Sequence, residues 1–204
     1  MASVYDLKPR FQALLRPLLS RLSRCGVTAN HVTVAAMIGS IVVGAALLEV
    51  RRVPALLLLL PVWLFVRMAL NAIDGMMARE LGMASNLGAI LNEVGDVVSD
   101  LALYLPLAWV DLPSSRSVLA FAVGAALTEF VGVVSKSIGA SRRYDGPMGK
   151  SDRAFWVGAL ALVTFFAPAA QRVWPWLIGA MALLAGFTVV RRARQALREL
   201  NGRR

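Results

Sequence analysis

Residues 53–75, VPALLLLLPVWLFVRMALNAIDG, and residues 87–110, LGAILNEVGDVVSDLALYLPLAWV, decide the fold. A helix of roughly 20 mostly apolar residues crosses the ~30 Å hydrocarbon of a bilayer, and each stretch is long enough. Yet between them they carry Arg67, Asn71, Asp74, Asn92, Glu93, Asp96 and Asp100. An Asp at the bilayer centre costs about 2.5–3.5 kcal/mol, so the three acids of the second stretch would cost about 8–10 kcal/mol if deep and unpaired. Such groups persist only near the cytoplasmic end, in a wet cavity or beside a cation. Helical spacing makes them converge. At about 100° per residue, Gly88, Asn92, Asp96 and Asp100 climb one face. Gly95 and Ser99 border that face, Glu93 lies at its edge, and Leu87, Leu91, Val94, Val97 and Val98 lie opposite. In the earlier stretch and just beyond it, Arg67, Asn71, Asp74, Gly75 and Ala78 share a face, with Arg79 near its edge. The short connection makes the two helices antiparallel neighbours, so Asp74 and Asp96 can approach each other. Arg67 needs an acidic partner, and Glu93 and Glu129 are the candidates.

Composition agrees with a membrane protein. Of 204 residues, 58% are hydrophobic and 17% charged, too little charge for the surface of a soluble domain. Four further apolar runs, near 31–50, 117–135, 154–171 and 174–190, bring the expected spans to six. Residues 4–22 read as an amphipathic helix. Phe11, Leu14, Leu15, Leu18, Leu19 and Leu22 form one stripe flanked by Arg10, Arg16 and Arg21, with Pro17 as an expected kink. That pattern suits a helix lying in the headgroup plane, or equally one packed on protein.

Net charge is +10, but the basic residues lie between and beyond the spans, so they read as headgroup contacts and topology signals rather than a nucleic-acid surface. Lys8, Arg10, Arg16, Arg21, Arg24, Arg79, Lys136, Arg142, Arg143, Lys150, Arg153 and the C-terminal arginines fall on one side; only Arg51, Arg52, Arg116 and Arg172 fall on the other. Both termini are therefore expected in the cytoplasm. The expected fold is an all-α membrane protein: six transmembrane helices preceded by an N-terminal interfacial helix. Its organisation is a juxtamembrane segment 1–30, a membrane domain 31–193 and a basic tail 194–204.

The intramembrane residues name a chemistry. Two carboxylates with amide oxygens suit a hard, oxygen-loving cation such as Mg²⁺. No Cys or His cluster accompanies them, which argues against zinc. Lone His31 reads as a cap or packing residue.

The array Asn71-x2-Asp74-Gly75-x2-Ala78-Arg79-x8-Gly88-x3-Asn92-x3-Asp96 resembles the signature of CDP-alcohol phosphatidyltransferases, Asp-x2-Asp-Gly-x2-Ala-Arg-x8-Gly-x3-Asp-x3-Asp. Spacing matches throughout, and Thr28-Ala29-Asn30-His31-Val32-Thr33 is similar to the family's segment before its first span. The resemblance implies that an alcohol attacks the β-phosphorus of a CDP-linked lipid such as CDP-diacylglycerol, releasing CMP. It implies Mg²⁺ or Mn²⁺ held by Asp74 and Asp96 with Asn71, Asn92 and Asp100, and Asp96 as the base. It implies nucleotide contacts from Gly75, Ala78, Arg79, Gly88, Asn30 and Thr33. It also implies a homodimer in a bacterial inner membrane.

Asn71 and Asn92 stand where the signature has aspartates, so its formal charge falls from −4 to −2 and a second metal becomes harder to hold. Glu93 and Asp100 are positioned to compensate. The basic stretch 141–153 offers Arg142, Arg143, Lys150 and Arg153 to an acceptor such as glycerol 3-phosphate or an inositol phosphate. The alternative to an active enzyme is a degenerate family member that binds lipid or acts as a scaffold.

Overall fold

The computed structural model describes the backbone of residues 4–202 and the side chains of residues 11–202. Among these the chain is helical, with no strand. The helices are α1 (Val4–Arg24), α2 (Ala29–Leu47), α3 (Leu59–Glu80), α4 (Asn86–Tyr104), the single turn α5 (Leu107–Val110), α6 (Ser115–Ser137), α7 (Lys150–Phe166) and α8 (Trp174–Asn201). Four segments are long and apolar enough to cross a membrane: 29–47, 54–80, 112–137 and 168–201. α4 carries three acids and α7 has 17 residues, so neither reads as a span by length and apolarity alone.

Local chemistry sets the helix starts. Thr28 caps α2 by accepting the His31 N–H at 3.3 Å, and His31 Nδ1 accepts the Thr28 N–H in return. His31 is thus a cap. Ser85 caps α4 through the Gly88 N–H at 2.9 Å.

Several boundaries differ from the sequence expectation. α3 continues to Glu80, which puts Asp74 inside a helix rather than at its end. α4 stops at Tyr104, because Pro106 has no N–H with which to continue the ladder. α7 starts at Lys150 and ends before Pro168. α8 runs to Asn201, so the expected tail is helical through most of its length. Lys8, Arg10, Arg203 and Arg204, counted above for topology, lie outside the residues whose side chains are described.

The helices pack as a bundle through the pairs α2–α3, α2–α4, α3–α7, α4–α6 and α6–α8. One end is apolar: Leu47, Leu60, Leu103, Tyr104, Phe121 and Trp174 are buried together. α1 leans on α3, where Leu15, Leu19 and Leu22 join Ile73, Met76 and Met77. Leu14 and Leu18 of the same stripe stay exposed, so α1 has one face on protein and one off it. The bundle's outer surface is apolar as well, with Val62, Phe65, Leu119, Phe130, Leu183 and Phe187 all exposed. Apolar contacts on both sides of a helix are what a lipid surround requires.

α2 and α4 approach with no room to spare. A Cβ on Gly44 would lie 2.0 Å from the Ala102 carbonyl oxygen. Gly44→Val is expected to cost about 1–3 kcal/mol by overpacking, read as a lower midpoint of thermal unfolding in detergent by tryptophan fluorescence. Gly186→Ala, where nothing lies within 4 Å, should leave the midpoint unchanged or raise it.

Candidate active site

The polar faces of α2, α3 and α4 open into a cavity of about 760 Å³. Asn30 and Thr33 reach it from α2, Asn71, Asp74, Gly75, Ala78 and Arg79 from α3, and Gly88, Asn92 and Asp96 from α4. Every residue singled out for nucleotide contact lies here, together with all the metal candidates except Asp100. The far wall comes from Glu129 of α6, Arg142 and Tyr144 of the following loop, Lys150 and Asp152 of α7, and Arg192 of α8. Asp96 stands between the two groups.

Close approach shapes the end formed by α2, α3 and α4. A Cβ on Gly88 would sit 2.6 Å from Asn30 Oδ1 and 3.0 Å from Ser85 Oγ, so any larger residue would displace these two side chains. Asn30 in turn donates to Ser85 Oγ at 3.4 Å. Arg79 folds back over Gly75, its Nη1 only 3.1 Å from where a Cβ would be.

The acids divide into two kinds. Asp74 is 6% exposed, accepts the Thr33 hydroxyl at 2.8 Å, and has no ion-pair partner among the described residues. The others are matched by cations. Asp96 Oδ2 receives Lys150 Nζ at 2.7 Å, and its Oδ1 receives Arg67 Nη2 at 3.3 Å. Asp100 is gripped on both oxygens: Arg67 Nη1 donates to Oδ1 at 2.5 Å, and Arg153 donates to Oδ2 from Nη2 at 2.8 Å and Nε at 3.1 Å. Glu93 and Arg142 form a two-pronged pair at 2.7 and 2.5 Å. Glu129 collects Arg153 Nη2 at 2.8 Å, Arg142 Nη2 at 3.2 Å and Arg192 Nη1 at 3.9 Å. A buried acid and base stay charged only when paired and hydrogen-bonded in this way. For Arg142, in the loop beyond α6, burial opposes the charge, but the Glu93 hydrogen bonds and field outweigh it and raise its pKa.

These contacts correct several expectations. Arg67 pairs with Asp100 and Asp96 rather than Glu93 or Glu129. Asp100 is engaged by a guanidinium on each oxygen and does not line the cavity, so in this structure it is an ion-pair anchor. Arg153 is fully buried between Asp100, Thr128 and Glu129, and Arg143 turns outward to Glu199 of α8. Neither lines the cavity. Of the proposed acceptor residues, Arg142 and Lys150 do. Arg192 was hidden in sequence among arginines counted for topology. It is buried, and it donates to the carbonyls of Asp145 at 3.0 Å and of Thr128. The apolar run before it masked its depth, since α8 continues without interruption past the expected span end.

The cavity passes one test for a divalent cation. Asp74 is a buried carboxylate lacking a cation, and Asn71, Asn92 and Asp96 line the same cavity. Among the described residues no group of three or more His, Cys, Asp or Glu could hold a metal. The oxygens that line the cavity there come from two carboxylates and two amides, a set whose charge would suit one divalent ion.

A sequence model of the CDP-alcohol phosphatidyltransferase family matches residues 26–190. Inner membrane protein YnbA of Escherichia coli (strain K12) is 44% identical over 198 residues, 96% of each chain. Archaetidylinositol phosphate synthase of Aeropyrum pernix is 26% identical over 190 residues, 88% of this chain and 95% of its own. Among solved structures, phosphatidylinositol phosphate synthase of Mycobacterium tuberculosis with CDP-DAG bound aligns at TM-score 0.73 and 24% identity, over 88% of this chain and 92% of its own. The same protein in complex with manganese and citrate aligns at 0.75 and 23%, over 89% and 88%. At these identities the solved structures establish a shared fold.

The arginine network makes a stability prediction. Arg153→Met leaves Asp100 and Glu129 short of a partner and should cost about 3–5 kcal/mol, seen as loss of the monodisperse peak in size-exclusion chromatography or a large drop in unfolding midpoint. Exposed Arg79→Ala should stay within about 0.5 kcal/mol of the parent.

Proposed function

The chain belongs to the CDP-alcohol phosphatidyltransferase family, and from that premise we propose how its own residues divide the work of moving a phosphatidyl group from a CDP-linked lipid to an alcohol. The observation that carries the reading is the meeting of Asp74 and Asp96 in one cavity with the nine other signature and upstream residues that line it. The CDP group occupies the end formed by α2, α3 and α4. Asn30 and Thr33 position the nucleotide, Gly75, Ala78 and Gly88 leave room for it, and Arg79 meets the diphosphate.

Asp74, Asp96, Asn71 and Asn92 are the residues that would hold Mg²⁺ or Mn²⁺. When bound, a divalent cation there neutralises the donor diphosphate. With two signature aspartates replaced by amides, one such ion is the natural complement. Asp96 lies at the boundary between donor and acceptor ends and takes the acceptor's hydroxyl proton. The hydroxyl oxygen then bonds to the β-phosphorus, the bond to CMP breaks, and CMP leaves. Lys150 lies against Asp96 and must swing aside for this step.

We further propose six spans, counting α4 and α7. Pairing of Asp96 and Asp100 with arginine and lysine supports placing α4 in the membrane, since paired acids lose most of their insertion cost. The asymmetry of basic residues supports cytoplasmic termini, and the exposed Leu14 and Leu18 support α1 at the headgroup level. The family resemblance implies a homodimer.

The test is CMP release from CDP-diacylglycerol by purified protein with Mg²⁺ or Mn²⁺ and a panel of alcohols. Metal-dependent CMP is expected, falling at least about 100-fold in Asp96→Asn, within the usual range for removal of a general base. No CMP with any acceptor would leave the degenerate, lipid-binding reading in its place. Asn92→Asp should restore affinity for a second ion, measured by Mn²⁺ titration with electron paramagnetic resonance.

A further inference from the structure

The acceptor end of the cavity is rich in arginine, yet that charge is matched by carboxylates; Arg142 Nη1, buried without a hydrogen-bond partner among the described residues, is left as a donor for a hydroxyl oxygen. Glu129 is the centre of that match. One carboxylate is shared among Arg142 of the α6–α7 loop, Arg153 of α7 and Arg192 of α8. Arg142 has Glu93 besides, and Arg153 has Asp100. Lys150 is held by Asp96. Across the site, Asp74, Asp96, Asp100, Glu93, Glu129 and Asp152 face Arg67, Arg79, Arg142, Arg153, Lys150 and Arg192, acids and cations in equal number. A divalent ion at Asp74 and Asp96 is then balanced by the donor's diphosphate. Nothing remains to balance a second phosphate at the acceptor end. Glu129 and Asp152 also line that wall. Carboxylates there accept hydrogen bonds from hydroxyls and repel a phosphate dianion.

We infer that Glu129 is a specificity-determining residue that makes this site select an uncharged, hydroxyl-bearing acceptor over a phosphorylated one. This rests on the transferase reading for its meaning, but not for its test. Hydroxyls of a polyol find donors in Lys150 and Arg192 and acceptors in Glu129 and Asp152. The exposed ring of Tyr144, stacked on Arg142 at 5.0 Å, gives its carbon skeleton a flat apolar wall. A phosphate ester would have to draw Arg142 or Arg192 away from Glu129, leaving that buried acid with fewer cations and a dianion close to it.

The experiment compares inositol with inositol 1-phosphate in the purified, full-length protein and in Glu129→Gln, an isosteric change that removes only the charge. Binding of inositol 1-phosphate is measured by calorimetry without donor, so it needs no turnover. The expected result is negligible binding to the parent at millimolar concentration and affinity at least about tenfold higher in the variant, the scale of one charge-assisted hydrogen bond. In CMP-release assays the parent should prefer inositol, and Glu129→Gln should lower KM for the phosphate ester and raise KM for inositol, which loses a charged hydroxyl acceptor. Loss of packing alone would not improve one ligand selectively. Should Glu129→Gln fail to purify as a monodisperse species, Glu93→Gln frees Arg142 from the more exposed side and should show the same gain. Tight binding of inositol 1-phosphate to the parent, or equal affinity in parent and variants, would overturn the assignment. Absence of CMP with every acceptor would count against the transferase reading alone and leave the binding result to decide.

Discussion

Asp100 held between Arg67 and Arg153 is the contact on which the rest of the molecule hangs. It lies 1% exposed, in the middle of a bundle whose outer surface is apolar. An isolated carboxylate in such surroundings would neutralise itself or draw in water. With a guanidinium on each oxygen it stays ionised, and it ties α4 to α3 on one side and to α7 on the other. Those three helices carry the signature residues and Lys150. The ion pair that compensates the acid of α4 among apolar helices thus also ties together the walls of the cavity.

The same logic passes outward to Glu129. It shares Arg153 with Asp100, then engages Arg142 and Arg192, so the network runs without a break from α3 to α8. Removing one partner of a buried pair costs more than the pair contributes, because the survivor is left uncompensated. A bundle built this way is intolerant of single charge changes but defines one geometry. It also converts a basic stretch, which in isolation would invite phosphate, into a wall close to electrical neutrality. Asp74 is the exception, a buried acid with a hydroxyl partner and no cation, placed where the donor diphosphate and a divalent ion would meet.

The replacement of two signature aspartates by Asn71 and Asn92 gains sense from this balance. Four carboxylates on α3 and α4, added to Glu93, Asp100 and Glu129, would outnumber the cations. With amides in two positions the acids and bases are matched in number. The amides keep oxygen donors in place while lowering the charge that the rest of the network must offset.

Much of this was legible in the amino-acid order. Apolar run lengths, the side-specific distribution of lysine and arginine, and the spacing from Asn71 to Asp96 depend only on helix periodicity and bilayer thickness. They determined the all-helical class, the family, and the set of residues from α2, α3 and α4 that line the cavity. What they could not determine was partnership. Asp100 looked like a ligand because it stands one turn from Asp96; Arg153 and Arg143 looked like acceptor contacts because they lie in a basic loop. Whether a charge faces a cavity or a counter-charge depends on helices far apart in sequence, such as α3 with α7 and α6 with α8. Arg192 joined the site only because α8 continues as a helix past its apolar run and turns that residue inward. Coulombic pairing falls off with distance in space, not along the chain, and so the tertiary structure alone decided which charges are spent on holding the bundle and which are left for chemistry.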